Sequence, residues 1–371
     1  MRKITYLAAL FFLMFQTSFS QENHSRIKIL NPSQETLNLM AEEGIDLRCG
    51  VDHNQNNLIL DVSNYDKNLL QQLGIAYTIE INDLETYQRV RAKNDLPNAQ
   101  AQLELEKART LSQRNMQIAQ RGSVSETLIE SYLQYGELNE KDWSAPTEFN
   151  LGSMGGCLTL SEMEAELDDM RTYSVNNGLD IVSIKQDASP TNQTTWGNPS
   201  SSITNNGLTY SGIGTSRWNP NTIYYVRITG NESSTTEGTK PQMLFTSMIH
   251  AREVSALMNN IYFMWYLIEN YNTDTAVKNL VDNNELYFVP VVNPDGLRWN
   301  EHLSSSGGGM QRKNLRPGAG GTSNSSSNRG VDLNRNFDYF WGTAGSGSSG
   351  TSTSDSYRGP SAASEPETQI M

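Results

Sequence analysis

Two residues with the chemistry of zinc ligands follow an apolar run in the middle of the chain. The run from Met243 to Ile249 has the length and β-branched content of a buried strand, His250 follows it directly, and Glu253 comes three residues later. An amphipathic helix is predicted to begin at about Val254. Because open α/β sheets bind ligands beyond the carboxyl ends of their strands, we expect both side chains at such an edge. An imidazole nitrogen and a carboxylate oxygen are two of the three protein ligands that a catalytic zinc ion usually has.

The histidine–glutamate spacing also fits a purely structural interpretation. His250 could cap a sheet edge at the surface, and Glu253 could lie in the first helical turn, where the helix dipole favours a carboxylate. A spacing of this kind arises often by chance in chains of this length. The choice between the two interpretations depends on what the rest of the sequence supplies.

A second group of candidate residues lies downstream and carries guanidinium and amide groups. Arg312 follows a serine- and glycine-rich stretch, and Asn334 and Arg335 lie between two loops of similar composition. A guanidinium can hold a carboxylate through two hydrogen bonds, and a neighbouring amide can add donors. Each arginine taken alone could equally be a solvated surface charge.

The composition narrows the class of protein. The chain has 371 residues, more than one ordinary domain needs, and a formal net charge of −13. An acidic chain lacks the basic surface that nucleic-acid binding requires, so we expect no nucleic-acid partner. The two cysteines, Cys49 and Cys157, lie in different segments, which argues against a disulfide scaffold and a cysteine-ligated zinc module.

Residues 1–20 are predicted to be a signal peptide. Arg2 and Lys3 form a charged start, the stretch from Tyr6 to Phe15 is apolar, and residues 18–20 form a small-x-small cleavage site. The alternative is an uncleaved membrane anchor. Since no later stretch is long and apolar enough to span a bilayer, we expect a secreted or periplasmic protein without stable membrane insertion after signal removal.

Residues 21–82 are predicted to form a small domain with the element order βαββαβ, which is the split-βαβ or ferredoxin-like pattern. Its expected strands and helices are, in order, Arg26–Leu30, Ser33–Glu43, Ile45–Val51, Leu58–Val62, Tyr65–Leu73 and Ile75–Ile81. The adjacent Asp52 and His53 are interpreted as part of a solvated turn rather than a reactive pair. Residues 83–148 are polar and mostly helix-forming, so we expect a helical linker there.

Residues 149–371 are predicted to form an α/β domain whose sheet is covered by helices on both faces. Thr159 and Glu162 form a capping box that opens a helix. Strands are expected at residues 181–185, 223–229 and 285–292, in addition to the run before His250. Residues 187–218 are expected to be a long loop, and Asn293–Gly296 a turn.

The motifs of this domain, taken together and in order, resemble those of a known enzyme family. The series is His250–Glu253, Asn293–Gly296, Arg312-Lys313, Gly330–Phe337, Tyr357–Pro360 and Ser364–Glu367. It resembles the zinc carboxypeptidases typified by pancreatic carboxypeptidase A, over about Thr159 to Met371. The resemblance implies a carboxypeptidase-like α/β fold with a mixed central sheet. The small domain at 21–82 likewise resembles the pro-segment that covers the active site in precursors of that family.

The resemblance implies roles for the residues nearest the chemistry. His250 and Glu253 would be two ligands of one zinc ion, and Arg312 would polarise the scissile carbonyl and stabilise the oxyanion. A metal that polarises a carbonyl, beside a fixed cation where negative charge develops, is a coherent arrangement for hydrolysis.

The resemblance also implies how a substrate would be held. Asn334 and Arg335 would bind the free C-terminal carboxylate of a peptide or protein, and Arg252 would touch the substrate farther from the scissile bond. A carboxylate-binding arginine at a closed pocket selects the end of a chain over its middle. The implied function is therefore a zinc-dependent metallocarboxypeptidase that releases C-terminal amino acids.

The sequence departs from the family pattern at its end. The family supplies its third zinc ligand, a histidine, and later a tyrosine and a glutamate base, after the stretch matching Ser364–Glu367, whereas this chain stops at Met371. The other histidines, His24, His53 and His302, do not fit the missing ligand's place. We therefore expect an incomplete fragment of a longer enzyme, with its third protein ligand outside this chain and little activity of its own.

Two other functions stay open. One is a zinc amidohydrolase or deacylase of the same fold, acting on N-acylated amino acids, although the motifs at 293–296 and 357–367 favour the peptidase. The other is a non-catalytic pseudoenzyme that keeps the carboxylate pocket at Asn334 and Arg335 but performs no chemistry.

Overall fold

The computed structural model describes residues 24–47, 51–54, 56–120, 145–323, 326–343, 345 and 347–371, with side chains omitted at 51–54 and 113–120. The predicted signal peptide at 1–20 lies outside these ranges, as does the side chain of His53. Within the described ranges, no helix is both long enough and apolar enough to cross a membrane.

The N-terminal unit is a four-stranded antiparallel sheet with two helices. Its elements are, in chain order, β1 (Ser25–Ile29), α1 (Gln34–Glu42), β2 (Val51–Asn54), β3 (Asn57–Val62), α2 (Asn64–Gln72) and β4 (Thr78–Ile81). The strand order is β2-β3-β1-β4, and inward side chains of β1 and β3 pack with Met40 and Leu70 of the helices. The element order is the one expected for a split-βαβ unit. Its assignment to the ferredoxin-like class stays a prediction.

The predicted strand at Ile45–Val51 is wrong in its first part, because the chain leaves α1 through a glycine turn. Gly44 has a φ of +85°, and the amide of Ile45 donates to the carbonyl of Met40 at 2.9 Å. This closure satisfies a terminal helix carbonyl and buries Ile45 in the small core. It also leaves Asp46 outside the sheet, with consequences for the site described below.

The described part of the predicted helical linker, residues 83–120 and 145–148, contains one long helix, α3 (Leu84–Gln120), with Pro97 inside it. The helix packs on the rest of the molecule: Leu84 is fully buried, and the Thr110 hydroxyl donates to the carbonyl of Ala145 at 2.9 Å. Leu103 contacts the core of the larger domain. The segment is therefore attached along part of its length rather than only solvated.

The larger domain is built on a mixed sheet, as predicted. Its strands are β5 (Gln186–Asp187), β8 (Tyr224–Ile228), β9 (Gln242–Thr246) and β10 (Glu285–Val289). The order is β5-β8-β10-β9, in which β10 is parallel to β9 and antiparallel to β8. A separate hairpin joins β6 (Ile203–Asn205) to β7 (Leu208–Tyr210).

Helices cover this sheet. They are α4 (Leu160–Asn176), α5 (Val254–Asn270), α6 (Thr275–Asn283), α7 (Pro294–Leu303) and α8 (Pro366–Ile370). Leu286 and Phe288 face one core, which they share with apolar residues of α4, α5, α6 and α7. Val289 points to the opposite face, where it packs with Leu333 and Ile370. The alternation along β10 therefore buries both faces of the central strand.

Several local predictions are wrong for physical reasons. The strand before His250 is not buried: β9 is the edge of the sheet, and Met243 and Leu244 are 42% and 58% exposed. Residues 181–185 make only an isolated bridge at Val182, and the strand begins at 186. The long loop at 187–218 contains the β6–β7 hairpin. The predicted turn after β10 begins α7, where the Asn293 side chain accepts from the amide of Gly296.

Candidate active site

His250 lies in a short connection between β9 and α5 that is tied to the end of β10. The amide of Ser247 donates to the carbonyl of Val289 at 3.2 Å. The amide of Asn293 donates to the carbonyl of Met248 at 3.0 Å. Met248 has a φ of +56°, an unusual conformation for a residue with a side chain. This left-handed residue turns the chain so that His250 points inward, where it is 1% exposed.

Both ring nitrogens of His250 face carboxylates. Nδ1 lies 2.8 Å from Oε1 of Glu253, and Nε2 lies 3.1 Å from Oδ1 of Asp332. Burial alone would lower the pKa of His250, but the charge of Asp332 and hydrogen bonds to both carboxylates raise it above its usual range. A carboxylate on the far nitrogen fixes the ring's orientation, which is how histidines that bind metals are commonly held.

Glu253 is the more open of the two predicted ligands, with a side chain that is 41% exposed. Burial would raise its pKa, but the hydrogen bond and charge of His250 and the charge of Arg312 hold it below its usual range. The two side chains have the ligand atoms that zinc prefers, an imidazole nitrogen and an ionised carboxylate oxygen. These atoms, Nδ1 of His250 and Oε1 of Glu253, are in contact with each other. No group of three or more possible metal-binding side chains occurs in the part of the chain that the structure describes.

Arg312 is a buried cation and not the solvated charge that its loop position allows. It is 2% exposed, and its Nε and Nη2 donate to Oδ2 of Asp332 at 3.1 and 3.0 Å. Nη2 also donates to Oδ2 of Asp46 at 2.8 Å, and Nη1 lies 3.7 Å from Oε1 of Glu253. Asp332 therefore contacts His250, the predicted zinc ligand, with one oxygen and Arg312, the predicted oxyanion-binding residue, with the other.

A close backbone approach places Asp332 beside Arg312. Gly330 has a φ of +82°, and a Cβ at this position would lie 2.0 Å from the carbonyl oxygen of Asn314. The amide of Asn314 donates to the carbonyl of Val331, whose own amide donates to Oδ1 of Asn314. Only glycine allows the two segments to lie this close, so Gly330 sets the distance between the acid and the guanidinium.

Arg335 reaches the same acidic residue of the N-terminal unit. Its Nη2 lies 2.9 Å from Oδ1 of Asp46, and its Nε donates to the carbonyl of Gly347 at 2.9 Å. The two oxygens of Asp46 therefore contact Arg312 and Arg335, respectively. Asn334 is exposed, and its backbone amide donates to Oδ1 of Asp332 at 2.9 Å.

Arg252 points away from this pair of guanidinium groups. Its Nη1 donates to Oδ2 of Asp355 at 3.1 Å, and the same oxygen lies 3.1 Å from Nε2 of His24. His24 is fully buried, and its other ring nitrogen lies 3.0 Å from Glu85. Burial would lower the pKa of His24, but the Asp355 and Glu85 carboxylates raise it to about 9. His24 is thus a contact between the N-terminal unit and the larger domain.

The structure brings together four of the predicted site residues: His250, Glu253, Arg312 and Arg335. Sequence reasoning missed two acids that organise them. Asp332 lies inside the quoted Gly330–Phe337 motif, so its position next to Asn334 and Arg335 was a usable signal. Asp46 carries no local signal, because it is 266 positions from Arg312. His302 lies on α7, with Nδ1 2.8 Å from the Ser216 hydroxyl.

Part of the chain is similar in sequence to known zinc carboxypeptidases. Residues 204–371 match the family model described as zinc carboxypeptidase. A metallocarboxypeptidase A of Arthroderma otae is 34% identical over 134 residues, which cover 36% of this chain and 29% of that protein. The zinc carboxypeptidase of Saccharothrix mutabilis subsp. capreolus is 34% identical over 106 residues, covering 29% of this chain and 22% of that protein. The chain thus matches less than a third of the length of these relatives.

A solved structure shows the same fold. The crystal structure of carboxypeptidase A from Helicoverpa armigera superposes with a TM-score of 0.51 and 20% identity, over 95% of this chain and 66% of that chain. All the residues that the sequence predicts for metal and substrate binding lie inside the segment that matches the family model. Residues 204–371, a little less than half of the chain, are therefore similar to the zinc carboxypeptidases.

Proposed function

We propose that this chain carries the metal-binding and carboxylate-recognition part of a metallocarboxypeptidase, which releases C-terminal amino acids from peptides by hydrolysis. The observation that supports it most is the position of Asp46. Its carboxylate lies between the guanidinium groups of Arg312 and Arg335, and Nη1 of Arg312 in turn lies 3.7 Å from Oε1 of Glu253. Two fixed guanidinium groups that already hold one carboxylate are suited to hold the terminal carboxylate of a peptide.

His250 and Glu253 would hold the zinc ion, with Asp332 keeping the imidazole in position. When bound, zinc supplies Lewis-acid polarisation of the scissile carbonyl and makes water a stronger nucleophile. We assign no third ligand among the described residues, and we propose that the chain as it stands has low hydrolytic activity.

Arg312 and Arg335 would bind different groups of the substrate. Arg335, with the amide of Asn334, would bind the terminal carboxylate and so admit only the end of a peptide. Arg312, buried and fixed by Asp332, would donate to the carbonyl oxygen as negative charge develops on it. Arg252, engaged by Asp355, would act farther along the substrate.

The N-terminal unit would cover this site as a pro-segment-like domain of residues 21–82, followed by a helical linker within 83–148. Asp46 would take the place of the substrate's carboxylate, so the Asp46 carboxylate must leave the two guanidinium groups before a peptide's terminal carboxylate can bind them. We also propose that the chain is exported to a secreted or periplasmic location, which rests on the charged and apolar pattern of residues 1–20.

Hydrolysis of matched peptides tests the proposed activity. Mass spectrometry of a peptide with a free C-terminus and of its C-terminal amide should detect slow loss of single residues from the free peptide only. A chelator or the substitution His250→Ala should stop this loss, because either removes the metal site. His302→Ala is the matched control and should leave it unchanged, since His302 binds Ser216 instead.

The opposite outcomes would reject the proposal. Equal trimming of the amide, or trimming that survives His250→Ala, would show that neither the carboxylate pocket nor this metal site is used. Faster hydrolysis of N-acylated amino acids than of peptides would favour the amidohydrolase instead.

A further inference from the structure

One buried arginine of the larger domain has no ionic partner within the described ranges. Arg329 is 7% exposed, and its Cζ lies 4.4 Å from the centre of the Trp299 ring. Its Nη1 is buried and has no hydrogen-bond partner among the described residues. The stacked indole supports one face of the guanidinium and leaves its edge, which carries the N–H donors, without a carboxylate.

This situation differs from that of the other arginines in the same region. Arg312 contacts Asp332 and Asp46, and Arg316 donates to Oε1 of Glu365 at 2.8 Å. Buried charges in proteins are normally paired in this way, because an unpaired charge loses its hydration without compensation. Burial lowers the pKa of Arg329 to about 10, so it remains a cation at neutral pH.

Arg329 lines a cavity of about 150 Å³. The wall is formed by the loop after β7, the segment from Leu315 to Thr322, and residues Gly197 and Asn198. The described residues that line the cavity include two arginines, Arg329 and Arg316, and no aspartate or glutamate. The chain has a net charge of −13, so a cavity lined by positively charged residues differs from the rest of the molecule. Tyr210 and Ser211, which carry hydroxyl groups, also line the cavity.

We propose that this cavity binds a small oxyanion, a phosphate or carboxylate group, with Arg329 as its main cation. The planar fork of a guanidinium matches the paired oxygens of either group. The volume is several times the roughly 30 Å³ that a water molecule occupies in the liquid, which is enough for one such group. None of the lining residues belongs to the candidate active site, so this binding would be separate from the proposed peptidase function.

Titration with inorganic phosphate tests this proposal on the whole chain. Calorimetry should detect saturable binding of phosphate to the unsubstituted protein in a chloride buffer of constant ionic strength. Arg329→Met should weaken the phosphate affinity by at least about tenfold, because it removes a charge-assisted hydrogen bond. Sulfate and acetate, titrated in the same way, distinguish a tetrahedral oxyanion from a carboxylate as the preferred class.

Arg298→Met is the matched control. Arg298 also lies over an indole, with its Cζ 5.5 Å from the centre of the Trp218 ring, but it donates to Asn221 and is outside the cavity wall. Its substitution should leave phosphate binding unchanged. If neither phosphate, sulfate nor acetate binds the unsubstituted protein more strongly than chloride does, the proposal is wrong, whether or not the Arg329 variant folds. Equal phosphate affinity of the unsubstituted protein and Arg329→Met would also overturn it.

Discussion

At the scale of single residues, Asp332 connects the two halves of the candidate site. One carboxylate oxygen contacts Nε2 of His250, and the other accepts two hydrogen bonds from Arg312. Burial would raise the pKa of Asp332, but the charges of Arg312 and His250 hold it well below its usual range. Asp332 is therefore a fixed anion that orients the imidazole and the guanidinium together.

Asp332→Asn should weaken zinc binding about 10- to 100-fold, as loss of an orienting carboxylate behind a ligand histidine typically does. The amide keeps the size of the side chain but removes the charge that positions His250. Competition with a chromophoric chelator measures this affinity.

Asp46→Asn is the control for that experiment, because Asp46 contacts Arg312 and Arg335. The ring nitrogens of His250 face Glu253 and Asp332 instead. Zinc affinity should be the same in the control as in the unsubstituted protein. If both substitutions changed it equally, or neither did, Asp332 would have no special role in orienting the imidazole.

At the scale of elements, α7 holds the two site-bearing loops together through Asn300. Its Nδ2 donates to the carbonyls of Ala251 and Gln311, each at 2.9 Å, and its Oδ1 accepts from the amide of Gln311 at 2.8 Å. Ala251 follows His250, and Gln311 precedes Arg312. One buried amide thus sets the distance between the ligand loop and the oxyanion-binding loop.

Asn300→Ala should lower the free energy of unfolding by roughly 2–4 kcal/mol, because buried carbonyl and amide groups lose their partner and each costs roughly 1–3 kcal/mol unless water enters. Urea denaturation measures the change. Asn283→Ala, which removes an exposed hydrogen bond on α6, should change it by less than about 0.5 kcal/mol. A loss at Asn300 no larger than that at Asn283 would contradict this account of α7.

The starts of two helices could be predicted from short sequence patterns, because helix starts depend on neighbouring residues. The capping box at Thr159 and Glu162 is present at the start of α4, and α5 begins at Val254 as expected. The exposure of β9 could not be predicted, because a strand's place in the sheet depends on which distant strands pair with it. The apolar run before His250 predicted that a strand forms there, but it did not predict that this strand lies at the edge of the sheet.

The candidate site shows the same limit. His250, Glu253 and the downstream arginines could be found from residue type and spacing, since they lie in recognisable motifs. The contact of Asp46 with two of those arginines could not, because it joins residues of different folding units. Such a contact depends on how the N-terminal unit packs against the larger domain.

At the scale of the whole molecule, charged contacts made by Asp46 and His24 hold the N-terminal unit on the larger domain at the site. Asp46 contacts Arg312 and Arg335, and His24 contacts Asp355, which also binds Arg252. Gly44 allows a close approach between the units, since a Cβ there would lie 3.0 Å from the backbone of Ser348. The three arginines proposed to bind substrate are thus engaged by carboxylates while this unit is in place.

Binding of matched peptides by an Asp46→Asn variant tests the central claim most directly. Removing the internal carboxylate should let the guanidinium pair bind a peptide's own terminus. Isothermal titration should show that this variant binds a peptide with a free C-terminus at least about tenfold more tightly than the same peptide amide. The unsubstituted protein should bind both weakly, and adding Arg335→Met to the variant should abolish the preference. Equal affinity of the variant for the free peptide and the amide, or a preference that persists without Arg335, would contradict the account.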